Sequence, residues 1–377
     1  MTSPAPPPPR SRANRTARLL VAIVLAGAAA GLVGIAMARL LEWLFYGVAD
    51  GALPERVGAA PAWRRVLAPA AGGTLAGAAW WWERGTGGVA GVEAAVADGS
   101  GTTARRMGLV RPFADGVLQV LVVGAGNSVG REGAPRLMAG AVAARLARWL
   151  DLEAGTTTLL VASAAGAGLA AMYNVPLGGT AFAVEITMVA GTRRRGVLLA
   201  LPVSVIATVV SWLLSRGRAT FDVAVGAPTA ATVVAALTAV PVFLALGAGA
   251  RRLWDWFKVH RVPNTWALPA GIATAGTLTG TASLWLPVLP GNGRDALEAA
   301  LLSPTTSTAL LALCGVMVLK PLLTAATLGA GATGGLLAPS FALGGSAGAA
   351  VAEVAHMAGW EASVPALGLV GAGAVLT

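Results

Sequence analysis

Residues 124–135 read GAGNSVGREGAP, and residues 329–339 read GAGATGGLLAP. Both stretches hold GAGx[ST]xG followed within a few residues by Pro, and each comes after an uncharged apolar run. Two copies roughly 205 residues apart predict two homologous membrane halves, the footprint of an inverted repeat. Gly and Pro at matching places imply broken helices whose ends meet near the bilayer midplane. A helix start exposes unpaired N–H groups and the positive end of the dipole, so a pair of such ends favours an anion. Glycines that only let helices pack closely are the competing explanation; a repeated compound motif favours the anion site.

The surrounding composition is that of a membrane protein. Of 377 residues, 56% are hydrophobic and 12% charged, with a mean hydropathy of +0.71. Uncharged runs at 19–38, 66–82, 154–184, 197–215, 223–250, 262–293, 299–319 and 321–352 are long enough to cross a bilayer, the longer ones holding more than one segment. That predicts roughly eight to twelve helices. Residues 1–18 are Pro-rich and basic and read as a disordered tail; the run from Leu19 is too long for a cleaved leader and stays as a helix. The Trp80–Trp82 triplet is expected to rest at the headgroups.

The formal net charge is +10, but the arginines cluster between spans, at Arg105, Arg106 and Arg111, at Arg193–Arg195, and at Arg251, Arg252 and Arg261. This is the positive-inside pattern of cytoplasmic loops and not a nucleic-acid surface. One Cys and two His supply no disulfide framework, metal site or catalytic constellation, so no cofactor and no enzymatic role are expected. Heavy use of Arg, Ala and Gly points to a GC-rich bacterial genome and the plasma membrane.

Several segments in order resemble the CLC family of chloride channels and chloride/proton exchangers. GREGAP at Gly130–Pro135 resembles the family's GREGP, and GGLLAP at Gly334–Pro339 resembles its GGxFAP. YNVPLGGTAFAVE at Tyr173–Glu185 is similar to the FNAPLAG helix, LPGNGRDALE at Leu289–Glu298 to the GNG stretch, and KPLLTAATLGAGATGG from Lys320 to the approach to the second anion-binding helix. The resemblance implies an all-α polytopic fold with first and second half-repeats at 19–216 and 223–377. It also implies a homodimer with one pore per subunit, 197–215 lying in the interface, and transport of chloride or a similar monovalent anion.

Carried over residue by residue, the resemblance makes Glu132 the gate. Its carboxylate would occupy an anion site at a helix N-terminus and swing away when protonated or displaced; an intramembrane carboxylate is a functional residue by default. Backbone amides or fields at Gly88, Val89, Ala90, Gly130, Arg131, Gly133, Gly335, Leu336 and Leu337 would surround the anion.

The chain also departs from the family pattern. Val89 stands where the family has an anion-coordinating Ser, and Val92 where it has Pro. Leu337 replaces Phe. Where exchangers bear two consecutive carboxylates, this chain has Glu185 and Ile186, so Glu185 is the remaining candidate for a proton path, or only a helix end beside Arg193–Arg195. The second half reads as shorter than the first, since a C-terminal Tyr of the family has no counterpart in Tyr46 or Tyr173. A truncated homologue acting as a scaffold or dimer partner is therefore the alternative to a working transporter.

Overall fold

The computed structural model describes residues 12–44, 53–215 and 223–376. Sixteen α-helices are found among them: α1 (Arg12–Leu44), α2 (Leu53–Ala59), α3 (Ala62–Gly85), α4 (Val92–Ala97), α5 (Thr102–Arg106), α6 (Val110–Gly124), α7 (Gly133–Trp149), α8 (Ala154–Tyr173), α9 (Pro176–Phe182), α10 (Arg193–Leu214), α11 (Ala230–Val259), α12 (Ala267–Ala282), α13 (Arg294–Leu301), α14 (Ser307–Gly329), α15 (Leu337–Met357) and α16 (Val364–Ala374). Six of the described helices are long and apolar enough to cross a membrane. The chain divides into two compact units interleaved in sequence, one of 1–36, 89–113 and 135–218, the other of 37–88, 114–134 and 219–377.

In the first unit α8 is buried along most of its length. Its Ala and Gly side chains are small, so neighbouring backbones come close, which is how helices pack where lipid offers no hydrophobic drive. Asn174, at φ 57°, caps α8 in the left-handed region, and Pro176 opens α9. An αL residue stops one helix and a first-turn Pro starts the next, so the 154–184 run holds two segments. A π-helical turn, Ala183–Thr187, follows α9.

The second unit packs α3 along α12, with Gly73 and Gly77 against the Ile272 and Pro269 backbones, around a core that includes Trp80, Phe243, Trp254, Leu268 and Leu343. Here the repeat takes physical form. α6 ends at Gly124 and α14 ends at the matching Gly329. Two residues on, Gly126 and Gly331 have φ of 113° and 95°, a region closed to side chains with a Cβ. Pro69 and Leu268 fill the space a Cβ would take. After each turn the chain enters a new helix, α7 or α15.

One expectation needs correction. The helix expected from Leu19 starts at Arg12, so the part of the predicted tail from Arg12 to Arg18 is helical. Arg18 is held there by Asn14 Oδ1 and the Leu150 carbonyl. Residues 1–11 of that tail lie outside the described residues, as does Tyr46. Trp80 is fully buried within the protein, its indole donating to Asp115, while Trp81 and Trp82 are exposed. The uncharged runs 299–319 and 321–352 are joined, since α14 runs through Lys320 and Pro321. The long 262–293 run holds more than one segment, α12 ending at Ala282.

Lys320 has its partners within the protein. It is wholly buried, and its Nζ donates to the Leu289 and Gly291 carbonyls, both at 2.7 Å. A buried ammonium needs hydrogen-bond partners, and the loop that interrupts the apolar run supplies them.

Candidate anion site

Gly130 and Gly335 occupy equivalent places in the two repeats and pair with each other as an isolated antiparallel bridge. Each N–H donates to the other's carbonyl at 2.8 Å. The loops entering α7 and α15 are thereby tied together. Neighbouring bonds fasten them to the scaffold: Asn127 Nδ2 donates to the Pro69 carbonyl at 2.9 Å, Ser128 and Thr324 hydroxyls meet at 3.1 Å, and Arg84 donates to the Gly331 carbonyl and Thr333 Oγ1 at 3.0 and 2.8 Å.

Glu132 follows that bridge and precedes α7 by one residue. It is 3% exposed. Its side chain crosses to the other repeat, where Oε1 accepts the Ala338 N–H at 2.9 Å. In the first turn of α15, Pro339 has no N–H, and Ser340 N–H already reaches the Leu336 carbonyl at 2.9 Å. The Ala338 N–H is a donor with no helical acceptor, and it points at a carboxylate. Glu132 Oε2 lies over the α-carbons of Gly130 and Gly335, where a Cβ on either glycine would collide with it. Those two glycines leave the space in which the carboxylate sits.

Cationic side chains lie close by. Arg131 is buried, and Arg131, Arg294 and Lys320 interact with Asp295, while Lys320 also interacts with Glu132.

Of the residues expected at the site, Gly130, Arg131, Glu132, Gly133, Gly335, Leu336 and Leu337 are brought together in the second unit, and the first-turn amide in contact with the carboxylate is that of Ala338. Gly88 belongs to the same unit, whereas Val89 and Ala90 belong to the first, where Val89 packs against the apolar core. The hydroxyl of Thr86, before Gly88, donates to the Glu83 carbonyl at 3.0 Å. Glu185 is an exposed residue of the π-helical turn in the first unit, and Arg193 donates to its carbonyl at 3.2 Å. Sequence reasoning missed Ala338, Lys320, Asp115 and Gln119. Lys320, a lone charge between two apolar runs, was the signal for a buried cation, and Asp115 and Gln119 share an i, i+4 face of α6.

Two broken helices joined through equivalent glycines, with a carboxylate of one on the amide end of the other, define an integral membrane protein of broken-helix architecture. The chain matches the family described as "Voltage gated chloride channel" over residues 72–377. It is 31% identical over 351 residues to the voltage-gated ClC-type chloride channel ClcB of Citrobacter koseri, covering 88% of this chain and 79% of that one. To the protein of the same name from Escherichia coli O9:H4 it is 32% identical over 339 residues, covering 87% and 78%. Among solved structures it is similar to a slow cyanobacterial Cl-/H+ antiporter, with TM-score 0.70, 23% identity and coverage of 90% and 80%. It is also similar to a CLC-type fluoride/proton antiporter, with TM-score 0.69, 20% identity and coverage of 98% and 88%. The chain belongs to the CLC family of voltage-gated chloride channel proteins and is an integral protein of the bacterial plasma membrane.

Proposed function

We propose that this protein moves chloride or a similar monovalent anion across the membrane and that Glu132 gates the passage. The observation that supports this most is the bond between Glu132 Oε1 and the Ala338 N–H at 2.9 Å. A carboxylate on a helix-start amide stands where a small anion would bind, so the two compete for one donor. When Glu132 takes a proton it loses the charge that the amide and the nearby cations attract, and the place becomes open to the anion. Anion passage and protonation are then linked through one side chain. The names of the relatives and of the neighbouring structures support chloride as the first substrate to test, with fluoride as the second.

Gly88, Val89 and Ala90 remain candidates for amides along the route. With Val in place of a hydroxyl donor, they offer the anion only backbone groups. Proton coupling is the finer part of the proposal. Glu185 is the carboxylate available for an inner proton step, with Ile186 beside it unable to carry a charge. The resemblance also supports a homodimer, with lipid around it.

Chloride efflux from proteoliposomes, with proton movement recorded in parallel, tests the reading. Efflux that rises or loses its pH dependence in Glu132→Ala supports the gate, and uphill proton movement in the wild type that disappears in the variant supports exchange. Efflux from neither folded protein would overturn transport in favour of a scaffold.

A further inference from the structure

A protonated Glu132 has a hydrogen to donate, and a helix N-terminus offers donors and no acceptor. The displaced acid needs a partner elsewhere, or burial leaves its O–H unsatisfied.

Such a partner stands against the residue that follows it. Gln119, on α6, is 1% exposed. Its Nε2 donates to Asp115 Oδ2 at 2.7 Å, and Asp115 Oδ1 accepts the Trp80 indole N–H at 2.6 Å. An ionised carboxylate only accepts, so this bond fixes which end of the Gln119 amide faces which way. Oε1 is turned toward Gly133. A Cβ on Gly133 would meet that oxygen first, with Gln119 Cδ at 3.3 Å and Nε2 at 3.6 Å. Oε1 is buried and has no hydrogen-bond partner. Native interiors rarely leave a side-chain acceptor in this condition without a use for it.

We propose that Gln119 Oε1 is the resting acceptor for the protonated side chain of Glu132, making Gln119 a positioning residue of the gate. Consecutive α-carbons are about 3.8 Å apart, so an oxygen packed on Gly133 is within reach of a Glu132 side chain turned away from α15. The ionised carboxylate sits on the Ala338 amide. A proton from solvent joins it, the neutral acid leaves that amide, and its O–H donates to Gln119 Oε1. Trp80 and Asp115 hold the acceptor still, and Gly133, having no side chain, leaves the approach open.

Arg131 adjoins Glu132 in the chain and Lys320 on α14 interacts with it; Arg131 and Lys320 in turn interact with Asp295 on α13, as does Arg294. Behind Gln119 lie Asp115 on α6 and Arg84 on α3, the latter over the Trp80 ring. Of these, Asp115 alone loses a partner when Gln119 is replaced, since Nε2 donates to it, and a shift caused by Asp115 alone would persist in the Glu132→Ala background.

This inference rests on Glu132 being the gate, and the experiment separates the two. Chloride efflux from proteoliposomes is measured across pH for wild type and Gln119→Met, and for both in the Glu132→Ala background. Methionine fills similar space without the acceptor or the donor to Asp115. The expected result is a half-activation point about one pH unit lower in Gln119→Met, the worth of one hydrogen bond, and no shift once Glu132 is absent.

Coincident profiles, a uniform fall in rate at every pH, or a shift that persists without Glu132 would each overturn the role of Gln119. An unaltered pH profile in Glu132→Ala alone would overturn the gate itself. If Gln119→Met does not fold, infrared difference spectra of the wild type between neutral and acid pH, with Glu132→Gln subtracted, decide the matter. A protonated carboxyl band accompanied by a shift of a glutamine amide carbonyl is expected; a carboxyl band with no amide change overturns the proposal.

Discussion

At the scale of single residues, the site depends on a few polar groups held where an apolar chain has almost none. Lys320 donates to two loop carbonyls at 2.7 Å and adds positive charge beside Glu132. Replacing it with Met leaves the Leu289 and Gly291 carbonyls buried and short of donors. We expect Lys320→Met to cost about 2–4 kcal/mol, the worth of two unsatisfied carbonyls. Thermal unfolding in detergent would show a lower midpoint, and an unchanged midpoint would mean that the loop is held by other contacts. Glu132 was legible from GREGAP, because a carboxylate in an apolar stretch attracts notice. Its partner was not: the Ala338 N–H is a backbone group on a residue 206 positions away, and no side-chain pattern announces a backbone donor. Gln119 was hidden for a related reason, since its function depends on an oxygen that nothing else uses.

At the scale of elements, repeated glycines marked where helices break. The matched turns after α6 and α14 follow from Gly126 and Gly331 at positive φ. Hydrophobic runs were a poorer guide to helix ends. A buried lysine with two carbonyl partners stays inside a helix, and an apolar run such as 262–293 can contain a loop whose carbonyls are needed elsewhere.

The helix α10 also bears on assembly. Leu198, Leu201, Val205, Val209 and Trp212 are exposed on it at spacings of three and four residues, which places them along one stripe. If this stripe is the contact between two copies, Val205→Trp with Val209→Trp enlarges side chains in the interface. We expect the pair to shift the purified protein from dimer to monomer in native mass spectrometry. A dimer that survives both changes would assign the stripe to lipid.

At the scale of the whole molecule, the membrane class, the family and the helical fold were readable from composition and from motifs in order. What composition could not give was the interleaving of the two units in sequence, which arises from long-range packing and leaves no local pattern. The proposed anion site lies within the second unit, where a helix-start N–H of α15 meets the Glu132 carboxylate. The central claim is that Glu132 and the anion compete for the same place. Its most direct test is calorimetric titration of chloride into purified wild type and Glu132→Ala at neutral and acid pH. Competition predicts tighter binding in the variant at neutral pH, by about tenfold if the displaced carboxylate is worth 1.4 kcal/mol, with the wild type approaching the variant as the pH falls. Equal affinities in the two proteins at both pH values would contradict it.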